Sequence, residues 1–200
     1  LRRHAANPAA TGVQRRRVNY QLGQYLERAG DHEGAFDAYE AANRAEPAEP
    51  DPERHRREVD ELIETYSEQF LAGAPRADHG LDQPVLIVGM PRTGSTLLEQ
   101  VLDCHRLVRG AGESLALERL VADASLHCGS TAPYPACVRD MDVDAANRLG
   151  RAYVDELRTA GFSAKRIVDK HLANHAHLGL VSLIAPQARV LDCRRDPVDT

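Results

Sequence analysis

No apolar run in the 200-residue chain approaches the roughly 18 residues that a membrane helix needs. The longest, Pro84 to Gly89, has the length of a strand. No secretory signal pattern is present, because the chain opens Leu-Arg-Arg-His and no apolar stretch follows. Positive charge is not in excess: the formal net charge is −5, which argues against a general nucleic-acid binder. Cys104, Cys128, Cys137 and Cys193 lack paired spacing, so reduced thiols in a cytosol fit better than a disulfide frame or a zinc site. Lysine is nearly missing. Of 25 basic residues only Lys165 and Lys170 are lysine, a bias that genome composition produces and that gives weight to any lysine in a suggestive place. What remains is ordinary globular composition, 42% hydrophobic and 28% charged, which excludes disorder, collagen and mucin-like stalks. A chain of this length supports one domain, or one domain with a small appendage, and the expected location is cytoplasmic.

Between Val18 and Phe70 the composition is helical and the surface acidic, with 14 Asp or Glu against 5 Arg. Val18 to Arg28 carries Val18, Leu22, Tyr25 and Leu26 at helical spacing, and Ala29-Gly30-Asp31 breaks the pattern as a C-terminal glycine would. His32 to Ala45 repeats it with Ala35, Phe36, Ala38, Tyr39 and Ala42, and Pro47 ends it, so residues 1–50 read as an antiparallel helical hairpin. Leu22-Gly23, Leu26, Gly30-Asp31, Ala35, Tyr39, Ala42 and Pro47 fall at the spacings of a tetratricopeptide repeat, which this pair resembles. Gly23 and Ala35 would sit where the helices come closest, with Tyr39 beside them. An ordinary helical hairpin is the competing reading. Asp51 to Phe70 reads as one amphipathic bridging helix with Val59, Leu62, Ile63, Tyr66 and Phe70 on one face, and Ala72 to Gln83 as a linker. Residues 51–83 thus join the hairpin to a second unit, 84–200.

That second unit begins with Pro84 to Gly89, a continuous apolar run of the kind that forms a strand buried on both faces. Met90-Pro91-Arg92-Thr93-Gly94-Ser95-Thr96 follows, and then an apolar helical stretch, Leu97 to Leu102. Strand, glycine-containing loop and helix are the context in which backbone N–H groups cradle a phosphate. Gly89 to Thr96 nearly matches G-x-x-x-x-G-K-[ST], but Ser95 stands where the lysine belongs, which disfavours ordinary NTP hydrolysis. Arg92 can supply the missing charge; an unoccupied strand-to-helix turn is the plainer alternative.

Ala164 to Lys170 reads as a second buried strand with Asp169 and Lys170 at its carboxyl end, where parallel α/β sheets bind ligands. A helix is expected over His175 to Ala185, then a strand over Ala188 to Cys193 that delivers Arg194 and Arg195 to the same edge. Asp142 to Ala160 is expected to be a packed helix with Leu149, Tyr153 and Leu157 in the core, and Ala124 to Asp140 a loop or short helices. His171, His175 and His177 have no accompanying carboxylate motif, so no metal site is expected.

Pro91-Arg92-Thr93-Gly94-Ser95-Thr96, Gly110-Ala111-Gly112-Glu113, Asp169-Lys170 with Asn174 and His177, and Cys193-Arg194-Arg195-Asp196-Pro197 together resemble the PAPS-dependent sulfotransferases. The likeness is to bacterial members with N-terminal tetratricopeptide repeats, and the tyrosylprotein sulfotransferases share the motifs. The resemblance implies a P-loop-like three-layer α/β domain with a parallel sheet. It implies that Arg92, Thr93, Gly94, Ser95 and Thr96 hold the 5′-phosphosulfate and that Arg195 binds the 3′-phosphate. It implies Glu113 as general base toward an acceptor hydroxyl, with Arg92 and Lys170 stabilising the transferring group and no metal required. Asn174 and His177 are expected in supporting roles, and Arg194 at the surface. The partners implied are a hydroxyl-bearing acceptor and a peptide or protein at the repeat. In such a family the cofactor site continues beyond Thr200, so the α/β domain is expected to be incomplete. Two other functions stay open: a P-loop small-molecule kinase, and a non-catalytic adaptor whose α/β part is a degenerate scaffold.

Overall fold

Thr11 starts the first described helix with a reciprocal cap: Gln14 N–H donates to Thr11 Oγ1 at 3.2 Å and Thr11 N–H donates to Gln14 Oε1 at 3.0 Å. The computed structural model describes residues 10–45, 51–159 and 164–199, which fall into two units, Leu1–Arg54 and His55–Thr200. In the first, α1 (Gly12–Arg28) pairs with α2 (His32–Ala45). The cap places the start of α1 six residues before Val18, the first residue of the apolar pattern. Leu22, Leu26, Ala35 and Ala38 form a small core, and a Cβ on Gly23 would lie 2.5 Å from the Tyr39 ring, so the helices pack at that glycine. Pro47, expected to end α2, lies outside the described residues.

The second unit takes most of α3 (Pro52–Thr65) and then α4 (Glu68–Gly73), where a single helix over 51–70 was expected. The chain turns at Tyr66 because its ring packs against Gly179, where a Cβ would lie 2.3 Å away, and its hydroxyl meets that of Tyr134 at 3.2 Å. Val59 and Ile63 stay exposed, so the expected apolar face is buried only near Tyr66 and Phe70. The segment read as a linker is instead partly fixed to this unit. Ala77 is buried and its N–H donates to Leu183 O at 2.8 Å, and His79 Nε2 meets Ile184 O at 2.9 Å.

The remaining elements are β1 (Pro84–Gly89), α5 (Ser95–Asp103), β2 (Val108–Gly110), α6 (Ala116–Ala122), α7 (Ala124–Cys128) and a 3₁₀ turn at Ala136–Asp140. They continue with α8 (Val143–Thr159), β3 (Arg166–Asp169), a 3₁₀ segment at Leu172–His177, α9 (Leu178–Ile184), β4 (Arg189–Cys193) and a last turn at Pro197–Asp199. The four strands make a parallel sheet in the order β2-β3-β1-β4. Alternate residues leave opposite faces of a strand. Leu86 and Ile167 accordingly join Leu149, Tyr153 and Leu157 of α8 and Leu180 and Leu183 of α9, while Val85, Ile87 and Val168 pack with Leu98 and Leu102 of α5. Burial on both faces explains the unbroken apolar run of β1. The short edge strand β2 had no sequence counterpart, and the expected helix over 175–185 begins as a 3₁₀ segment. Among the described residues no helix is long and apolar enough to cross a membrane.

Candidate active site

The loop after β1 owes its shape to three left-handed residues, Gly89 (φ 137°), Arg92 (φ 69°) and Gly94 (φ 94°). At Gly89 a Cβ would lie 2.4 Å from Cys193 O, so only glycine lets β4 come this close to the start of the loop. Thr93 donates from Oγ1 to Met90 O at 2.7 Å and tightens the turn. Gly94 is the N-cap of α5, Ser95 is buried in its first turn, and Thr96 is exposed there. The first N–H groups of a helix have no partner within it and favour an anion.

The ends of β1 and β4 enclose a cavity of about 880 Å³, within the range of small-ligand sites. Arg92, Thr93, Arg194, Arg195 and His175 line it, with an apolar wall from Val88, Met90, Leu178 and Val190. Arg92 and Arg195 are exposed, and Arg195 Nε lies 3.9 Å from Asp199 Oδ2. Arg194 is also exposed at the surface and donates to Asp192 Oδ2 at 2.6 Å. Gly94, Ser95 and Thr96 are not part of this lining.

One strand over, the end of β3 brings Lys170 to Glu113, Nζ to Oε1 at 2.6 Å. Backbone bonds set this meeting: Ala111 N–H donates to Val168 O at 2.7 Å and Lys170 N–H to Gly112 O at 2.9 Å. The Lys170 side chain is 8% exposed and that of Glu113 is 65% exposed, so a sheltered ammonium faces an open carboxylate. Hydrogen bonding and charge from Lys170 hold the Glu113 carboxyl below its ordinary range.

Asp169 does not pair with Lys170, because successive residues of the strand point apart. It is fully buried and accepts a hydrogen bond from Tyr153 Oη at Oδ2, 2.8 Å away. Burial pushes its carboxyl up to about 6, against the pull of the Tyr153 hydroxyl. Asn174 is buried. The three histidines take separate partners: His171 Nε2 lies 3.6 Å from Glu118 Oε1, His175 Nδ1 meets Leu172 O at 3.0 Å, and His177 Nδ1 meets Tyr134 Oη at 3.1 Å. Burial lowers the pKa of His177. Sequence reasoning missed Glu99, buried in α5, whose Oε1 accepts the Gly112 N–H at 2.8 Å. The available signal was a lone carboxylate within the apolar stretch Leu97 to Leu102.

Cationic side chains around a cavity at strand ends, beside a helix N-terminus and a lysine–carboxylate pair, can bind an anionic donor and accept a proton from a nucleophile. Among known proteins, a curated relative from Aquifex aeolicus (strain VF5), described as "Uncharacterized protein", is 28% identical over 199 residues. The match covers 96% of this chain and 26% of the relative, so the chain spans about a quarter of that protein's length. No solved structure matches significantly. A family model described as "Sulfotransferase family" matches residues 84–200, from the first residue of β1 onward and over more than half of the sequence, and the chain therefore belongs to the sulfotransferase family.

Proposed function

We propose that the protein transfers a sulfonate group from PAPS to an acceptor hydroxyl. The observation that carries this reading is the 2.6 Å contact of Lys170 with Glu113, one strand away from the loop that holds Arg92. The cavity beside that loop is lined by Arg92, Thr93 and Arg195, which suits a donor with phosphate at both ends. Arg92, Thr93 and the first turn of α5, with Gly94, Ser95 and Thr96, bind the phosphosulfate end, and Arg195 binds the 3′-phosphate. The donor, when bound, would supply the sulfonate to the acceptor oxygen as its bond to the 5′-phosphate oxygen breaks, and adenosine 3′,5′-bisphosphate would leave. The Glu113 carboxylate, which Lys170 holds below its ordinary range, takes the hydroxyl proton. Lys170 and Arg92 supply positive charge where negative charge collects, so side chains of this chain do the neutralising. The hairpin α1–α2 is a tetratricopeptide-type pair that offers exposed Tyr25 and Phe36 to a peptide or protein partner.

Calorimetric titration tests the donor assignment. Adenosine 3′,5′-bisphosphate is expected to bind far more tightly than ADP with Mg²⁺, and the reverse order would overturn the reading in favour of a kinase. Arg92→Ala and Arg195→Ala are each expected to weaken the bisphosphate by about 10- to 100-fold, the loss of a charge-assisted hydrogen bond of about 1.5–3 kcal/mol.

A further inference from the structure

Gly112 is gripped from both sides. Its carbonyl accepts the Lys170 N–H at 2.9 Å, and its N–H donates to Glu99 Oε1 at 2.8 Å. Glu99 belongs to α5, the helix that starts in the anion loop, and it is only 5% exposed. Its carboxylate also lies against Gly110, where a Cβ would come within 2.8 Å of Oε1, so the glycine makes room for it. One turn further along α5, Asp103 Oδ1 accepts the Gly110 N–H at 2.8 Å. Two carboxylates of one helix thereby hold the N–H groups of Gly110 and Gly112. The next residue, Glu113, leaves the left-handed Gly112 (φ 68°) and reaches Lys170 Nζ. A leucine would fill the space of Glu99 without the cost of burying a polar group; the carboxylate is what can bind the Gly112 N–H.

We propose that Glu99 is a positioning residue: its buried carboxylate fixes the 110–112 turn so that Glu113 meets Lys170, and ties that pair to the helix of the anion loop. The proposal rests on the reading of Glu113 as the base of a sulfotransferase, but its geometric content is testable apart from activity. The chain has only two lysines. With ¹⁵N-lysine labelling in a Lys165→Arg background, a single ammonium resonance reports Lys170, and Glu113→Gln marks its position when the pair is broken. Glu99→Ala is expected to move the resonance toward that position, and Glu99→Gln, which keeps an acceptor oxygen, to leave it near wild type. A folded Glu99→Ala protein with an unmoved resonance overturns the proposal. If Glu99→Ala fails to fold, Gly110→Ala replaces it, since the new Cβ dislodges the carboxylate while keeping it in the chain. An unmoved resonance in folded Gly110→Ala overturns the proposal equally.

Glu99→Ala should lower kcat on the order of 100-fold with a much smaller change in donor KM, as misplacement of a catalytic group does. Glu99→Gln should recover most of the loss. Turnover unaffected by Glu113→Gln, together with a resonance that still responds to Glu99→Ala, would remove the base assignment and leave the positioning role standing. Turnover lost in Glu113→Gln and unchanged in Glu99→Ala would do the opposite.

Discussion

Asp169 and Lys170 are neighbours in the chain with opposite surroundings. The carboxylate is buried among core side chains beneath the sheet, and the lysine stands at the site beside Glu113. The raised pKa of Asp169 carries a sign for stability. Its carboxyl titrates at about 6 in the folded protein against an ordinary 3.8, so the folded state binds the extra proton between these values. The stability linked to this group is therefore present below about pH 4 and lost as pH rises through 6. Urea unfolding at pH 4.5 and 7.5 should show the wild type losing roughly 2–3 kcal/mol relative to Asp169→Asn across that interval. Parallel changes in the two proteins would show that burial does not shift this group. The strand that leads into Lys170 could be read from the sequence, because an apolar run followed by polar residues marks a buried strand and its exit. The Tyr153 hydrogen bond could not, since its partners come from α8 and β3 and only packing brings them together.

At the level of elements, strands with an apolar run were the most legible. β1, β3 and β4 lie where their apolar runs put them, and α8 buries Leu149, Tyr153 and Leu157 as its 3.6-residue spacing requires. β2 escaped because three residues, one of them the exposed Arg109, carry too little pattern. The break between α3 and α4 escaped because Tyr66 is seated by Gly179 and Tyr134, both far away in sequence. The packing of β1 against β4 depends on Gly89. Gly89→Ala, which puts a Cβ against Cys193 O and retains a left-handed φ, should cost on the order of 1–3 kcal/mol and weaken bisphosphate binding by distorting the loop. Thr11→Ala at the start of α1 removes a reciprocal cap, and should cost about 0.5–2 kcal/mol of hairpin stability with nucleotide binding unchanged. Chemical denaturation and calorimetry of the two variants check both outcomes.

Across the whole molecule, the two units hold very different cores. The hairpin relies on Leu22, Leu26, Ala35 and Ala38, whereas the α/β unit buries a continuous cluster running from Leu86 and Ile167 through α6, α8 and α9. Local opening is least costly where few apolar groups are buried. Amide hydrogen exchange should therefore be faster in α1 and α2 than in β1, β3 and α8, and equal protection would contradict the difference in core size. The sequence by itself determined the strands β1, β3 and β4, the glycine-containing loop after β1 that lacks a Walker lysine, the arginines after β4 and the position of Lys170 at a strand end. Each of these follows from local periodicity or from side-chain chemistry within a few residues. Tertiary structure alone decided that Glu113 lies against Lys170, 57 positions away, that Glu99 holds the turn before it, and that much of the expected linker packs on the α/β unit. Those contacts depend on the strand order β2-β3-β1-β4 and on which faces of the sheet the helices cover, and chain-local patterns do not encode such long-range choices.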